Sequence, residues 1–169
     1  TGGRPTILVF LRHAEPRRSD TDPGLTSAGV RMAREAAEWA AAQLTIEGQA
    51  TVRVLHTPTR RTQQTAEAVQ EWLGAVARLE PVDELPENID DLDILAARLS
   101  RSLPGLPPRP LPPTVLVGHH TTLVGLRREL AGRTPVHLLP PVRNYAAGLA
   151  LTADEGAWVI RAVWPGRPA

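Results

Sequence analysis

The chain has 169 residues, 42% hydrophobic and 22% charged, a balance that fits one globular domain able to bury a core without covalent staples. All 19 residues counted as Lys or Arg are Arg, and Cys is absent, which excludes Schiff-base and P-loop lysines, disulfides, thiolate nucleophiles and Cys-bound zinc. A net charge of +1, with four Trp, one Tyr and one Phe, argues against a nucleic-acid surface.

The run Ile7-Leu8-Val9-Phe10-Leu11 reads as a buried strand of a parallel or mixed sheet. A polar stretch from Arg17 to Gly24 follows. Thr26 can cap a helix whose apolar positions fall at 30, 33, 37, 40 and 44, with Gly48 ending the unit. Val52, Val54 and Leu55 mark a second strand. Pro58 stands where a helix can begin, and Ala66, Val69 and Leu73 give its buried stripe. A short strand fits between Val76 and Val82, and Leu92, Leu95, Ala96, Leu99 and Leu103 suggest a third helix. Six prolines in the ten residues from Pro104 to Pro113 form an extended connector. Val115-Leu116-Val117 is another buried strand, and Leu123, Leu126 and Leu130 give a helix stripe. Ala146 to Thr152 and Ala157 to Val163 read as a closing strand pair with its turn at Ala153 to Gly156.

Strands alternating with helices predict an α/β fold, a sandwich around a largely parallel sheet, as a single domain over 1–169. No internal repeat, membrane span or signal-peptide pattern is legible, so a cytoplasmic setting is expected.

Open α/β sheets bind ligands beyond the carboxyl ends of their strands. Arg12-His13 follows the first strand, His56 to Arg61 the second, and His119-His120 the Val115 strand. If these strands are neighbours, histidines and arginines share one crevice. Arg offers a planar fork for phosphate, and a neutral His can attack phosphorus. The histidines could instead bind a metal. Against that, arginines flank them and no His-x-x-x-His or Glu-x-x-His pattern occurs. No cofactor and no metal are expected.

Four blocks carry a resemblance. Leu11-Arg12-His13-Ala14-Glu15-Pro16 resembles the Arg-His-Gly/Ala signature of the histidine phosphatase superfamily, which includes the phosphoglycerate mutases. Leu25-Thr26-Ser27-Ala28-Gly29 resembles its Leu-Thr-x-x-Gly segment. Thr57-Pro58-Thr59-Arg60-Arg61-Thr62-Gln63-Gln64-Thr65-Ala66 resembles its Ser-Pro-x-x-Arg-Ala-x-Gln-Thr-Ala block, with Thr57 in the place of Ser and Thr62 in the place of Ala. Val117-Gly118-His119-His120 resembles its second-histidine block. The blocks stand in the family's order and cover the chain from residue 6 to about 130.

The resemblance implies a three-layer α/β/α, phosphoglycerate mutase-like fold with a reduced helical insertion. It implies that His13 accepts the phosphoryl group, with its other ring nitrogen held by a carbonyl. Arg12 and Arg61 become the phosphate clamp, and His119 the second phosphate-contacting histidine. Glu87, in Leu85-Pro86-Glu87, becomes the proton donor to the leaving group, with Glu84 as runner-up; the Gly-x-x-Glu-Gly that often follows is absent. The family's Asn after the first motif is also missing. Arg17 and Arg18 lie there instead, either touching substrate or forming a solvated loop. His120 either lines the pocket or only begins a helix. His56 and His137 read as structural or surface residues.

The short stretch between Arg61 and His119 suggests an open site, which favours hydrolysis over mutase chemistry. In plan the chain is most similar to small bacterial phosphohistidine and metabolite phosphatases. The implied partner is a phosphorylated small molecule or phosphoprotein, with no nucleic acid, no membrane and no required oligomer. A catalytically idle phosphate-binding domain, and less readily a phosphoglycerate-type mutase, are the alternatives.

Overall fold

The structure is a computed structural model that describes residues 6–18, 21–44, 51–82, 113–130, 143–154 and 157–168. The expected helix at 92–103, most of the proline connector, Glu84, Glu87 and His137 lie outside the described residues. Among the described residues six strands form one sheet: β1 (Thr6–Arg12), β2 (Val52–His56), β3 (Ala77–Pro81), β4 (Thr114–Gly118), β5 (Gly148–Asp154) and β6 (Ala157–Trp164). Their order is β3-β2-β4-β1-β5-β6. The first four are mutually parallel, while β5 and β6 run antiparallel at one edge. This is the mostly parallel sheet of a phosphoglycerate mutase-like α/β/α sandwich.

Alternation along the strands divides the core. Val9, Leu11, Val52, Val54, Val115 and Val117 pack with α1 (Ser27–Gln43) and α2 (Arg60–Leu73) in one apolar cluster. Leu8, Phe10, Leu55 and Leu116 alternate with them and are equally buried. On that second side α3 (His120–Leu130) buries Leu123 and Leu126, and the Phe10 ring approaches Gly118 closely enough that a Cβ there would crowd it.

The helix boundaries differ from the sequence reading in instructive ways. Thr26 does cap α1, its hydroxyl accepting from the Gly29 amide. The buried stripe, however, is Gly29, Ala33, Ala36, Ala37 and Ala40, while Val30 is exposed. Small residues let α1 lie close to the chain beneath it; a Cβ on Gly29 would collide with the Glu15 carbonyl oxygen. The helix stops at Gln43, and Leu44 is buried in extended backbone beyond it. α2 begins at Arg60 rather than at Pro58, because the Thr59 hydroxyl supplies the N-cap to Thr62. Ala146 adopts a left-handed φ of 56° and so precedes β5 instead of starting it.

Candidate active site

The strand order makes β2, β4 and β1 adjacent, so their carboxyl ends open onto one crevice. The His13 amide donates to the Gly118 carbonyl at 3.0 Å and the Thr57 amide to the Val117 carbonyl at 3.3 Å. The three polar blocks are thereby stitched together just past the ladder.

His13 is buried, and its Nδ1–H donates to the Ala14 carbonyl at 2.8 Å. A carbonyl can only accept, so the neutral ring has its proton on Nδ1 and its lone pair on Nε2. The Ala14 peptide is itself held: its amide donates to Thr65 Oγ1 at 3.0 Å, and Thr65 Oγ1–H donates to the Arg61 carbonyl at 2.8 Å. Helix α2 thus fixes the loop that orients the histidine.

The His13 and His119 rings meet edge to face, with centroids 5.5 Å apart. Arg12 and Arg61 are close enough to depress the basicity of both rings. Burial pushes His13 down to about 3, with Arg12, Arg61 and His119 adding to burial and the Ala14 carbonyl opposing it. His119 is likewise lowered, first by burial, then by Arg61, His120 and Arg12. Both imidazoles are therefore neutral at physiological pH, between two permanent cations. Such a set offers a nucleophilic nitrogen and charge for an oxyanion.

Arg12 is anchored from outside the crevice. Its Nη1–H donates to the Arg143 carbonyl at 2.8 Å, and its guanidinium carbon lies 4.7 Å from the Tyr145 ring centroid. Its Nε is buried without a hydrogen-bond acceptor among the described residues. Tyr145 also stands 6.2 Å from His13, ring to ring. Its strand-like bridge to Arg167 holds it there, with both amide–carbonyl bonds made, at 2.8 and 2.9 Å.

Of the residues singled out in the sequence, His13, Arg12, Arg61 and His119 come together. His120 is exposed as the first residue of α3, with its charge felt by His119. Arg17 is exposed and its Nε–H donates to the Leu25 carbonyl at 3.1 Å, which ties it to its own loop. Arg18 is exposed. His56 is buried, its Nδ1–H donated to the Thr57 carbonyl at 2.8 Å. Sequence reasoning missed Tyr145. Its one available signal was being the sole Tyr of the chain, in a segment that precedes a strand. Thr65 was legible only as a letter of a motif.

Among the described residues, no three of His, Cys, Asp or Glu gather as metal ligands. No helix among them is long and apolar enough to cross a membrane.

A family model, the histidine phosphatase superfamily (branch 1), matches residues 8–105. No curated protein matches the chain. Among solved structures, the chain is similar to a protein histidine phosphatase SixA complexed with tungstate, at 25% identity and TM-score 0.57, covering 95% of this chain and 97% of that one. It is similar to a mycobacterial glucosyl-3-phosphoglycerate phosphatase at 21% identity and TM-score 0.59, covering 96% and 100%. It is also similar to a candidate phosphohistidine phosphatase SixA from Nakamurella multipartitia at 20% identity and TM-score 0.61, covering 97% and 98%.

Proposed function

The chain belongs to the histidine phosphatase superfamily, and from that premise we propose that it is a phosphatase hydrolysing a phosphomonoester through a covalent phosphohistidine on His13. The observation that carries this reading is the His13 Nδ1–H bond to the Ala14 carbonyl. It leaves Nε2 as a lone pair, and burial keeps that lone pair free of a proton.

In the first half-reaction Nε2 attacks phosphorus, the N–P bond forms as the ester P–O bond breaks, and the departing oxygen takes a proton. Glu87 is assigned as the donor, with Glu84 second. In the other half-reaction water attacks phosphorus, the N–P bond breaks, and the water's proton goes to the carboxylate. Arg12, Arg61 and His119 hold the phosphoryl oxygens and stabilise the charge spread over them at the transition state. Arg17 and His120 are assigned to the remainder of the substrate. No metal and no cofactor takes part.

The substrate class is a phosphoprotein or a phosphorylated small molecule. Two of the similar structures are named as a protein histidine phosphatase and a glucosyl-3-phosphoglycerate phosphatase, one from each class. The short segment between Arg61 and His119 supports water access, and so hydrolysis over intramolecular transfer. The proposal extends to one domain over 1–169, acting in the cytoplasm without nucleic acid, membrane or obligatory oligomer.

The test is phosphate release from a panel of phosphomonoesters and a phosphohistidine protein, with chelator present. Wild type is expected to release phosphate, and His13→Ala to fall to background while still binding vanadate. Arg61→Ala should lower kcat/KM by ~10²–10³ through loss of transition-state charge stabilisation. Full activity in His13→Ala, or its abolition by chelator, overturns the mechanism. Binding of oxyanions without any release in wild type would make the chain an idle phosphate-binding domain.

A further inference from the structure

Thr57, Thr59 and Thr62 form a cluster of hydroxyls between the end of β2 and the start of α2. Thr62 Oγ1 lies 2.7 Å from the Thr57 carbonyl oxygen and 3.0 Å from the Thr59 carbonyl oxygen. It also lies 2.7 Å from Thr59 Oγ1 and 3.0 Å from Thr57 Oγ1. Thr57 Oγ1 in turn stands 3.1 Å from His119 Nε2. Thr57 and Thr62 are both buried.

The protons in this cluster can be counted. Each hydroxyl has one hydrogen, and a carbonyl oxygen has none. The Thr62 hydrogen is therefore committed to the two carbonyls. Thr62 Oγ1 can then only accept from its neighbouring hydroxyls, so Thr57 and Thr59 both donate to it. With its hydrogen directed at Thr62, Thr57 Oγ1 meets His119 as an acceptor, and His119 Nε2 must carry a hydrogen. The other assignments leave an oxygen pair on the buried Thr62 hydroxyl at 2.7 or 3.0 Å with no proton between them, which is unfavourable.

We propose that Thr62, acting through Thr57, sets the tautomer of His119, holding it as Nε2–H and leaving Nδ1 to take up any second proton. Thr57 and Thr62 are positioning residues. On substrate binding the phosphoryl dianion draws a second proton onto Nδ1, and His119 engages the phosphoryl group as an imidazolium whose Nε2–H Thr57 accepts, so their effect on rate rests on the phosphatase reading. The resembled family pattern has Ala in the place of Thr62, so the acceptor for the Thr57 proton is a feature of this chain. The groups facing His119 are Arg61, Arg12, His120 and the His13 ring. Their charge and the burial of the site keep its ring neutral, so one tautomer is defined at neutral pH.

The experiment is nitrogen NMR of the folded protein at neutral pH without substrate, with His119 assigned against a His119→Asn variant. In wild type Nε2 should give the protonated, pyrrole-type resonance and Nδ1 the pyridine-type one. In Thr62→Val the Thr57 hydroxyl loses its acceptor and turns to donate to Nε2, so the two resonance types should exchange between the nitrogens. Thr62→Ser should restore the wild-type pattern. Where phosphatase activity is measurable, Thr62→Val should lower kcat/KM roughly fivefold, the worth of one net hydrogen bond, and Thr62→Ser should recover it. If Thr62→Val does not fold, Thr62→Ala, the family's own residue, takes its place. An Nδ1–H tautomer in wild type, or an unchanged His119 pattern in a folded Thr62 variant lacking the hydroxyl, overturns the proposal. Because the NMR result needs no turnover, failure of the phosphatase reading would leave it standing and would be seen separately.

Discussion

His13 owes its protonation state to one backbone carbonyl and to burial. The Ala14 carbonyl fixes which nitrogen carries the proton, and burial removes the second proton across the physiological range. The His13 ring is therefore expected to stay neutral by NMR down to about pH 4; a resonance titrating near the ordinary histidine value of ~6.5 would contradict this. Thr65 holds the amide of the same residue, Ala14, in place from α2. Thr65→Val leaves the Ala14 amide without an acceptor, at a cost of ~1–3 kcal/mol in stability, and should lower kcat more than it raises KM. Steady-state kinetics beside denaturant unfolding would check both effects. At this scale the convergence of His13, Arg12, Arg61 and His119 was legible, because motifs fix them to strand ends and to the start of α2. Thr65's role and the Tyr145 contact to Arg12 were not, because each depends on contacts between distant parts of the chain that spacing cannot reveal.

Elements, rather than single side chains, decide how firmly Arg12 is held. The segment before β5 meets the chain after β6 through the Tyr145–Arg167 bridge, and Arg167 reaches Glu35 on α1 at 3.1 Å. Gly166 makes the bridge sterically possible. Its φ is +65°, and a Cβ there would collide with the Tyr145 carbonyl oxygen. Gly166→Ala should therefore cost about 1–3 kcal/mol, read as a melting midpoint several degrees lower. It should also weaken vanadate binding as Tyr145 shifts away from Arg12. An unchanged midpoint would mean that the bridge relaxes freely. Strand cores were readable from apolar runs in β1, β2 and β4. The exposed Val30 was not, since the packing face of α1 is built from alanines that a hydrophobic stripe does not distinguish from surface.

For the molecule as a whole, a buried neutral histidine links stability to acidity. The folded-state value of His13, about 3, lies below its unfolded value. Between the two the unfolded chain binds a proton that the folded chain does not, so stability falls as pH drops through that window and is fully present above it. Wild type should lose up to ~1.4 kcal/mol per pH unit more than His13→Ala between about pH 6 and pH 4. Urea titrations at stepped pH would show it, and parallel curves for the two proteins would refute it.

The sheet order carries a kinetic consequence. β2 and β3 are near neighbours in the chain and pair directly, whereas among the described residues β1 pairs with β4 and β5. The register Leu8↔Thr114 closes a loop of about a hundred residues. β1 must therefore wait, apolar and without its β4 partner, until about a hundred further residues have been synthesised. Non-local closure of this kind slows folding and exposes sticky edges meanwhile. Because His13 gains its neighbours only at that closure, activity should emerge in the slowest refolding phase, and no amino-terminal fragment ending before β4 should bind an oxyanion.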